Sequence, residues 1–181
     1  MAIVAEGVRG RVYLPPTSVQ EAVARSAKPD WRPETPLPDD PRNFWTLSYG
    51  LANFSDLFTP RQLVALTTFS DLMQEAIAKA HADALAAGMT DDGLGLDAGG
   101  CRATAYSEAM GVYMAMAVGK FSDNASSICT WHNVAEHQKI RATFGRQALP
   151  MTWDFAEGNP ISDSTGNFFR QIELMEASTA D

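Results

Sequence analysis

The stretch TPRQLVALTTFSDLMQEAIAKAHADALAAG, residues 59–88, decides how the rest of the chain is read. Thr59 carries a side-chain acceptor just ahead of Pro60. Proline suits a first helical position, because the N–H it lacks would have no partner there. Gln62, three residues after Thr59, completes a capping box. Apolar Leu63, Leu66, Phe69, Met73, Ile77, Ala80 and Ala84 then recur every three or four residues, which is one face of a helix. Gly88 supplies the C-terminal stop. The spacing predicts a long helix over 59–87.

Outward from this helix the pattern stays helical. Residues 89–100 are rich in Gly and Asp and read as a flexible surface loop. A second helix is predicted over about 103–121, with Tyr106, Met110, Tyr113, Ala117 and Phe121 along one side and Met114 and Met116 broadening it, so it is expected to lie central in a core rather than to form a binding face. A third is predicted from the capping spacing Asn133–Glu136 through Ile140, Phe144 and Ala148, stopped by Pro150. A fourth is predicted over 167–177 with Phe168, Ile172 and Met175. Toward the N-terminus, residues 3–14 read as one or two short strands, and Thr17–Gln20 is a capping box opening a short helix to about Ala27. Pro29, Pro33, Pro36, Pro38 and Pro41 then deny the chain both helix and sheet. The fold class is mainly α (α+β), a helical domain with a short N-terminal β element and a Pro-rich extended arm. It is one domain or domain fragment, with strands within 1–16, the arm over 28–45 and a helical core over 59–181. The aromatic cluster of Phe44, Trp45, Tyr49, Phe54 and Phe58, with Trp31 before it, reads as the anchor of the arm onto that core. A base-stacking platform is the weaker reading, because the flanking segment is acidic and repels phosphate.

Composition narrows the function. The chain has 181 residues, of which 45% are hydrophobic and 20% charged, an ordinary globular mixture. Two cysteines, Cys101 and Cys129, build no disulfide framework and read as reduced thiols. No run reaches the ~20 apolar residues of a membrane span, and the first residues lack the features of a secretory signal, so a soluble cytoplasmic protein is expected. The net charge of −8 argues against nucleic-acid binding by overall charge. Residues 46–100 carry −5 and residues 101–181 carry −3. One island breaks the trend: Lys139, Arg141 and Arg146 lie between His137 and Trp153 with no acid among them.

The chemistry-bearing residues are sparse. Cys129, His132 and His137 have a ligand-like spacing, but a structural zinc site needs a second short pair that is missing, so no metal site is assigned. No P-loop, no G-x-G-x-x-G and no nucleophile elbow is present, and no catalytic or cofactor-binding residue is assigned. Asp154 and Glu157 are spaced as a carboxylate pair, a pattern more often solvated than catalytic. The densest information lies in residues 139–166. A basic helix with Lys139, Arg141, Arg146 and Gln147 is followed by a turn with Trp153 and Asn159, and Trp131 precedes it. These seven residues are the candidate DNA contacts, with cations for phosphates and rings and amides for bases. On composition alone, a solvated basic helix with aromatic plugs is the stronger reading.

Two blocks then carry a family resemblance. NFWTLSYGLANFSDLFTPRQLVALTTFSDL (residues 43–72) and TFGRQALPMTWDFAEGNPISDSTGNF (residues 143–168) resemble the large adenine-specific DNA methylases that contain a zinc ribbon. The likeness runs through nearly the whole chain, loosest at 88–101 and the last dozen residues. It implies an internal segment. In the family, a Gly-rich S-adenosylmethionine motif and the ribbon lie upstream, and an Asp-Pro-Pro-Tyr tetrapeptide lies downstream. None of the three occurs here, and Asn159-Pro160-Ile161-Ser162 lacks the second proline and the aromatic. The resemblance therefore implies a middle segment or split subunit of a methyltransferase, inactive alone, giving scaffold and DNA contact. Its cofactor, S-adenosylmethionine, would belong to the complete enzyme. The implied partners are DNA, the other methylase halves or a second copy, and no membrane. The alternative is a standalone helical protein-interaction module without enzymatic activity, using the Met-rich helix of 103–121. A small metal-dependent hydrolase on Cys129, His132 and His137 is a third, weaker idea.

Overall fold

The computed structural model describes residues 2–134 and 137–179. Strands β1 (Ile3–Gly7) and β2 (Gly10–Leu14) pair as an antiparallel hairpin, with Ile3 opposite Leu14 and Ala5 opposite Val12. Helix α1 (Ser18–Ser26) follows, and the Thr17 side chain and Gln20 form the reciprocal capping box. The arm is extended, as its prolines require, and docks by a bridge between Pro36 and Asn53. Two short 3-10 turns, Trp45–Tyr49 and Phe54–Leu57, lead into helix α2 (Pro60–Ala86). Helix α3 (Ala103–Ser122) runs back along α2. Strands β3 (Thr130–His132) and β4 (Lys139–Arg141) form a second antiparallel hairpin, and helix α4 (Phe168–Thr179) packs on α3. The result is a mainly helical α+β fold with two small antiparallel sheets. Among the described residues, no helix is long and apolar enough to cross a membrane.

The core lies in two places. Leu37 of the arm, Leu57, Ile128 and Leu149 are buried together, and Phe44, Phe54 and Phe58 pack against them. The aromatic segment therefore anchors the arm, as the acidic flank suggested. Trp31, Trp45 and Tyr49 stay exposed. The second cluster joins Ala117 and Phe121 of α3 to Ala125 and to Phe168 of α4. Phe69 of α2 stacks on Phe168 at 4.2 Å and meets Phe121 edge-on at 5.5 Å. Helices α2 and α3 come close at Gly111, where an added Cβ would lie 2.6 Å from Ile77 Cδ1.

Two expectations are corrected. Helix α3 is not enclosed in a core: Tyr106, Met110, Tyr113 and Met116 are exposed, while Ala117 and Phe121 are buried. The third helix over 133–148 does not form: residues 139–141 are a strand, and turns follow to Leu149. Thr130-Trp-His and Lys139-Ile-Arg each alternate with period two, which outweighs the single helical stripe through Ile140, Phe144 and Ala148. Thr143 is buried and hydrogen-bonded, and Gly145 removes helix propensity. Glu136 of the expected capping box lies outside the described residues. The core over 59–181 is thus interrupted by a hairpin and irregular chain between α3 and α4. The loop of residues 89–100 lies on the surface, as expected, and is tied down by an acid of its own and one of α3. Asp91 accepts from the N–H groups of Thr104 (3.0 Å) and Gly93 (3.3 Å), and Glu108 accepts from Leu96 N–H at 2.7 Å. Gly100 is obligatory there, because any Cβ would fall 2.0 Å from the Leu94 carbonyl oxygen.

Candidate nucleic-acid interface

Strand register decides what the basic island presents. Trp131 pairs with Ile140, His132 with Lys139 and Thr130 with Arg141. Directly opposed residues share a face, and successive residues alternate. Ile140 is only 8% exposed and Trp131 is partly buried, so that face turns inward. The opposite face carries Thr130, His132, Lys139 and Arg141, and Lys139 and Arg141 are exposed. Among the described residues, neither Lys139, Arg141 nor Arg146 has a carboxylate partner.

His137, in the connection between the strands, stacks on His132 with ring centroids 4.7 Å apart and planes at 25°. The His132 imidazole is held below its ordinary pKa, first by partial burial of the ring and then by Arg141, His137 and Lys139. Every charged or titratable group in that set is a cation or becomes one on protonation. The entry to β4 is tightly turned, with Gln138 at a φ of 35°, a left-handed conformation unusual for a residue with a side chain.

The remaining candidates are placed differently. Arg146 and Gln147 are exposed on the loop after β4. The start of that loop is pinned to the end of α3: Thr143 N–H donates to the Asp123 carbonyl and Phe144 N–H to its carboxylate, each at 2.7 Å. Lys120 donates to the other Asp123 oxygen at 2.8 Å. Trp153 is 74% exposed and meets Tyr49 edge-on at 5.2 Å. Trp131 is an inward plug, and its indole Nε1 is buried without an acceptor among the described residues. It presents no ring for a base on the outer face. Asn159 shapes a turn, its side-chain oxygen accepting from Ile161 N–H at 3.1 Å. The structure therefore brings Lys139 and Arg141 together with His132, and leaves Trp131 and Asn159 with structural roles. The two histidines belong to this face. Their signal was the alternation Thr-Trp-His against Lys-Ile-Arg, concealed by the helical reading.

The other chemistry-bearing side chains singled out in the sequence are engaged within the fold. Cys129 is fully buried, its sulfur 3.2 Å from Thr143 Oγ1 and 3.5 Å from Ser126 Oγ and from the Asp123 carbonyl oxygen. It is thereby a packing thiol rather than an exposed nucleophile. Among the described residues, no group of three His, Cys, Asp or Glu side chains could hold a metal. Glu157 is not a solvated half of an acid pair: Arg61 donates to both of its oxygens at 2.9 and 2.8 Å, and Gln62 Nε2 donates at 2.8 Å. The outer face of the hairpin is thus a small cationic surface, and Arg146 is exposed on the loop that follows it. Comparison with protein families, curated proteins and solved structures finds no match to this chain.

Proposed function

We propose that this chain is a helical segment of an S-adenosylmethionine-dependent, adenine-specific DNA methyltransferase, and that it holds DNA through the outer face of the 130–141 hairpin. The observation that carries the contact is the β3–β4 register, which sets Lys139 and Arg141 on one exposed face with Ile140 buried between them. Two residues of strand separate the cations by about 6.6 Å, so each meets its own phosphate. Arg146 extends the positive surface along the loop tied down by Asp123. Such contacts position a duplex and carry no sequence information. The methylase assignment rests on the likeness of residues 43–72 and 143–168 to that family. Methyl transfer needs a donor site and a pocket for the flipped base, and on this reading both belong to other parts of the enzyme. The chain alone transfers no methyl group.

The test is binding of the chain to a labelled DNA duplex at low and moderate salt, beside the Lys139→Ala/Arg141→Ala/Arg146→Ala variant. Each lost phosphate contact lowers the slope of log K against log salt by about 0.9, so the variant is expected to lose up to roughly three such increments. An unchanged affinity and slope sinks the contact. Absence of binding by the unsubstituted chain at low salt favours the second reading, a protein-interaction module. That reading has its own observation: Tyr106, Met110, Val112, Tyr113 and Met116 of α3 are exposed, although an all-apolar helix is ordinarily buried.

A further inference from the structure

The outer face of the hairpin holds two groups that a plain phosphate clamp does not need. His132 lies directly across from Lys139 on that face, and His137 stacks on it. Two imidazoles 4.7 Å apart cannot both be charged cheaply, and each strand neighbour on the outer face of β4 is already cationic. A phosphate brought to the same face reverses the balance. It favours the charged form of any ring beside it, and each ring that takes a proton adds one more cation to the contact.

We propose that the hairpin binds duplex DNA with uptake of protons by the stacked His132–His137 pair, so that affinity rises as pH falls below neutrality. This rests on the outer face being the DNA contact. The step is a simple protonation: a ring nitrogen accepts a proton from the buffer as the phosphate approaches, and returns it on release. Among the described residues, partial burial of the ring first, and then Arg141, His137 and Lys139, hold His132 neutral. All of them oppose protonation in the free chain, which leaves the change for the ligand to drive. The third histidine, His81 of α2, lies elsewhere and is engaged by Asp91 and Thr104.

The experiment measures affinity for a labelled duplex by anisotropy at fixed ionic strength from about pH 8 to about pH 5.5. It uses the unsubstituted chain, the His132→Gln/His137→Gln variant and the Lys139→Ala/Arg141→Ala variant. One added phosphate contact at about 0.1 M salt is equivalent to roughly a tenfold tightening. That tightening is expected in the unsubstituted chain and absent in the histidine variant. Calorimetry of the unsubstituted chain with the same duplex, in buffers of different ionisation enthalpy, is expected to show net proton uptake near pH 6.5. This arm needs no variant to fold. Binding that is flat in pH, or equally pH-dependent in the histidine variant, overturns the proposal. If the Lys139/Arg141 variant has lost affinity in that case, the DNA contact itself stands. Absence of duplex binding by the unsubstituted chain at every pH overturns both.

Discussion

Asp91 carries more of the local structure than its place in a Gly/Asp-rich loop suggests. Its carboxylate accepts from His81 Nε2 at 3.0 Å, Thr104 Oγ1 at 2.9 Å and Thr104 N–H at 3.0 Å, so it closes the loop onto both long helices. The His81 contact first, and then the Thr104 N–H and hydroxyl, hold its carboxyl well below the usual carboxylate range. A group whose folded pKa is depressed stabilises the fold at pH values above its unfolded pKa of about 3.9. That contribution disappears as pH falls toward the folded value. Thermal midpoints of the unsubstituted chain and Asp91→Asn, followed from neutral pH downward, are expected to differ most near neutrality and to converge below about pH 4. A gap that stays constant with pH would show that Asp91 acts through packing alone. The residues of this latch are all visible in the sequence, but their convergence is not, because Asp91 and His81 are separated by the end of a helix and a reversal of the chain.

The elements divide by how local their causes are. Helices α1 and α2 begin at capping boxes whose two partners are three residues apart, and both boxes are present as the sequence predicts. The hairpin β3–β4 is ambiguous in sequence, since its six strand residues offer two periods at once and the burial of Ile140 and partial burial of Trp131 select between them. The pairing of α2 with α3 depends on Gly111, whose lack of a side chain lets Ile77 sit against the α3 backbone. Gly111→Leu is expected to push the helices apart and destabilise the chain by about 1–3 kcal/mol, read as a lower urea midpoint. Gly111→Ala is the milder test, because the Ile77 side chain can rotate away and alanine favours the helix. If the leucine variant unfolds at the unsubstituted midpoint, the close approach is not a constraint on the packing.

At the scale of the whole molecule, a polar cluster is among the contacts that join distant parts of the chain. Arg61 and Gln62, on the first turn of α2, hold Glu157, 96 and 95 residues away. Phe155 lies under the Arg61 guanidinium, 5.9 Å from ring centroid to Cζ. The Arg61 and Glu157 side chains remain 32% and 28% exposed, so solvent screens the ion pair. Gln62 is buried, and its amide would lose its acceptor. Glu157→Ala is therefore expected to destabilise by roughly 1–2 kcal/mol, measured by denaturant unfolding, with Glu157→Gln losing less because it keeps an acceptor for Gln62. An alanine variant as stable as the original would mean that α2 and the 150–160 segment are held by apolar contacts alone.

Gln62 shows where the boundary between sequence and tertiary structure falls. Its Oε1 accepts from Thr59 N–H at 2.7 Å, a contact set by three residues of local spacing. Its Nε2 reaches Glu157, a contact that exists because the folded chain returns there. By itself the sequence determined the starts of α1 and α2, the extended arm, the long helices and the absence of acids among the basic residues 139–146. Each follows from backbone geometry or from charges that are neighbours along the chain. Only the tertiary structure decided that residues 139–141 are a strand, that Trp131 turns inward, that two histidines join Lys139 and Arg141, and that Cys129 is sealed. Those outcomes depend on which side chains lose water when distant segments pack, and burial of that kind has no signature at short range.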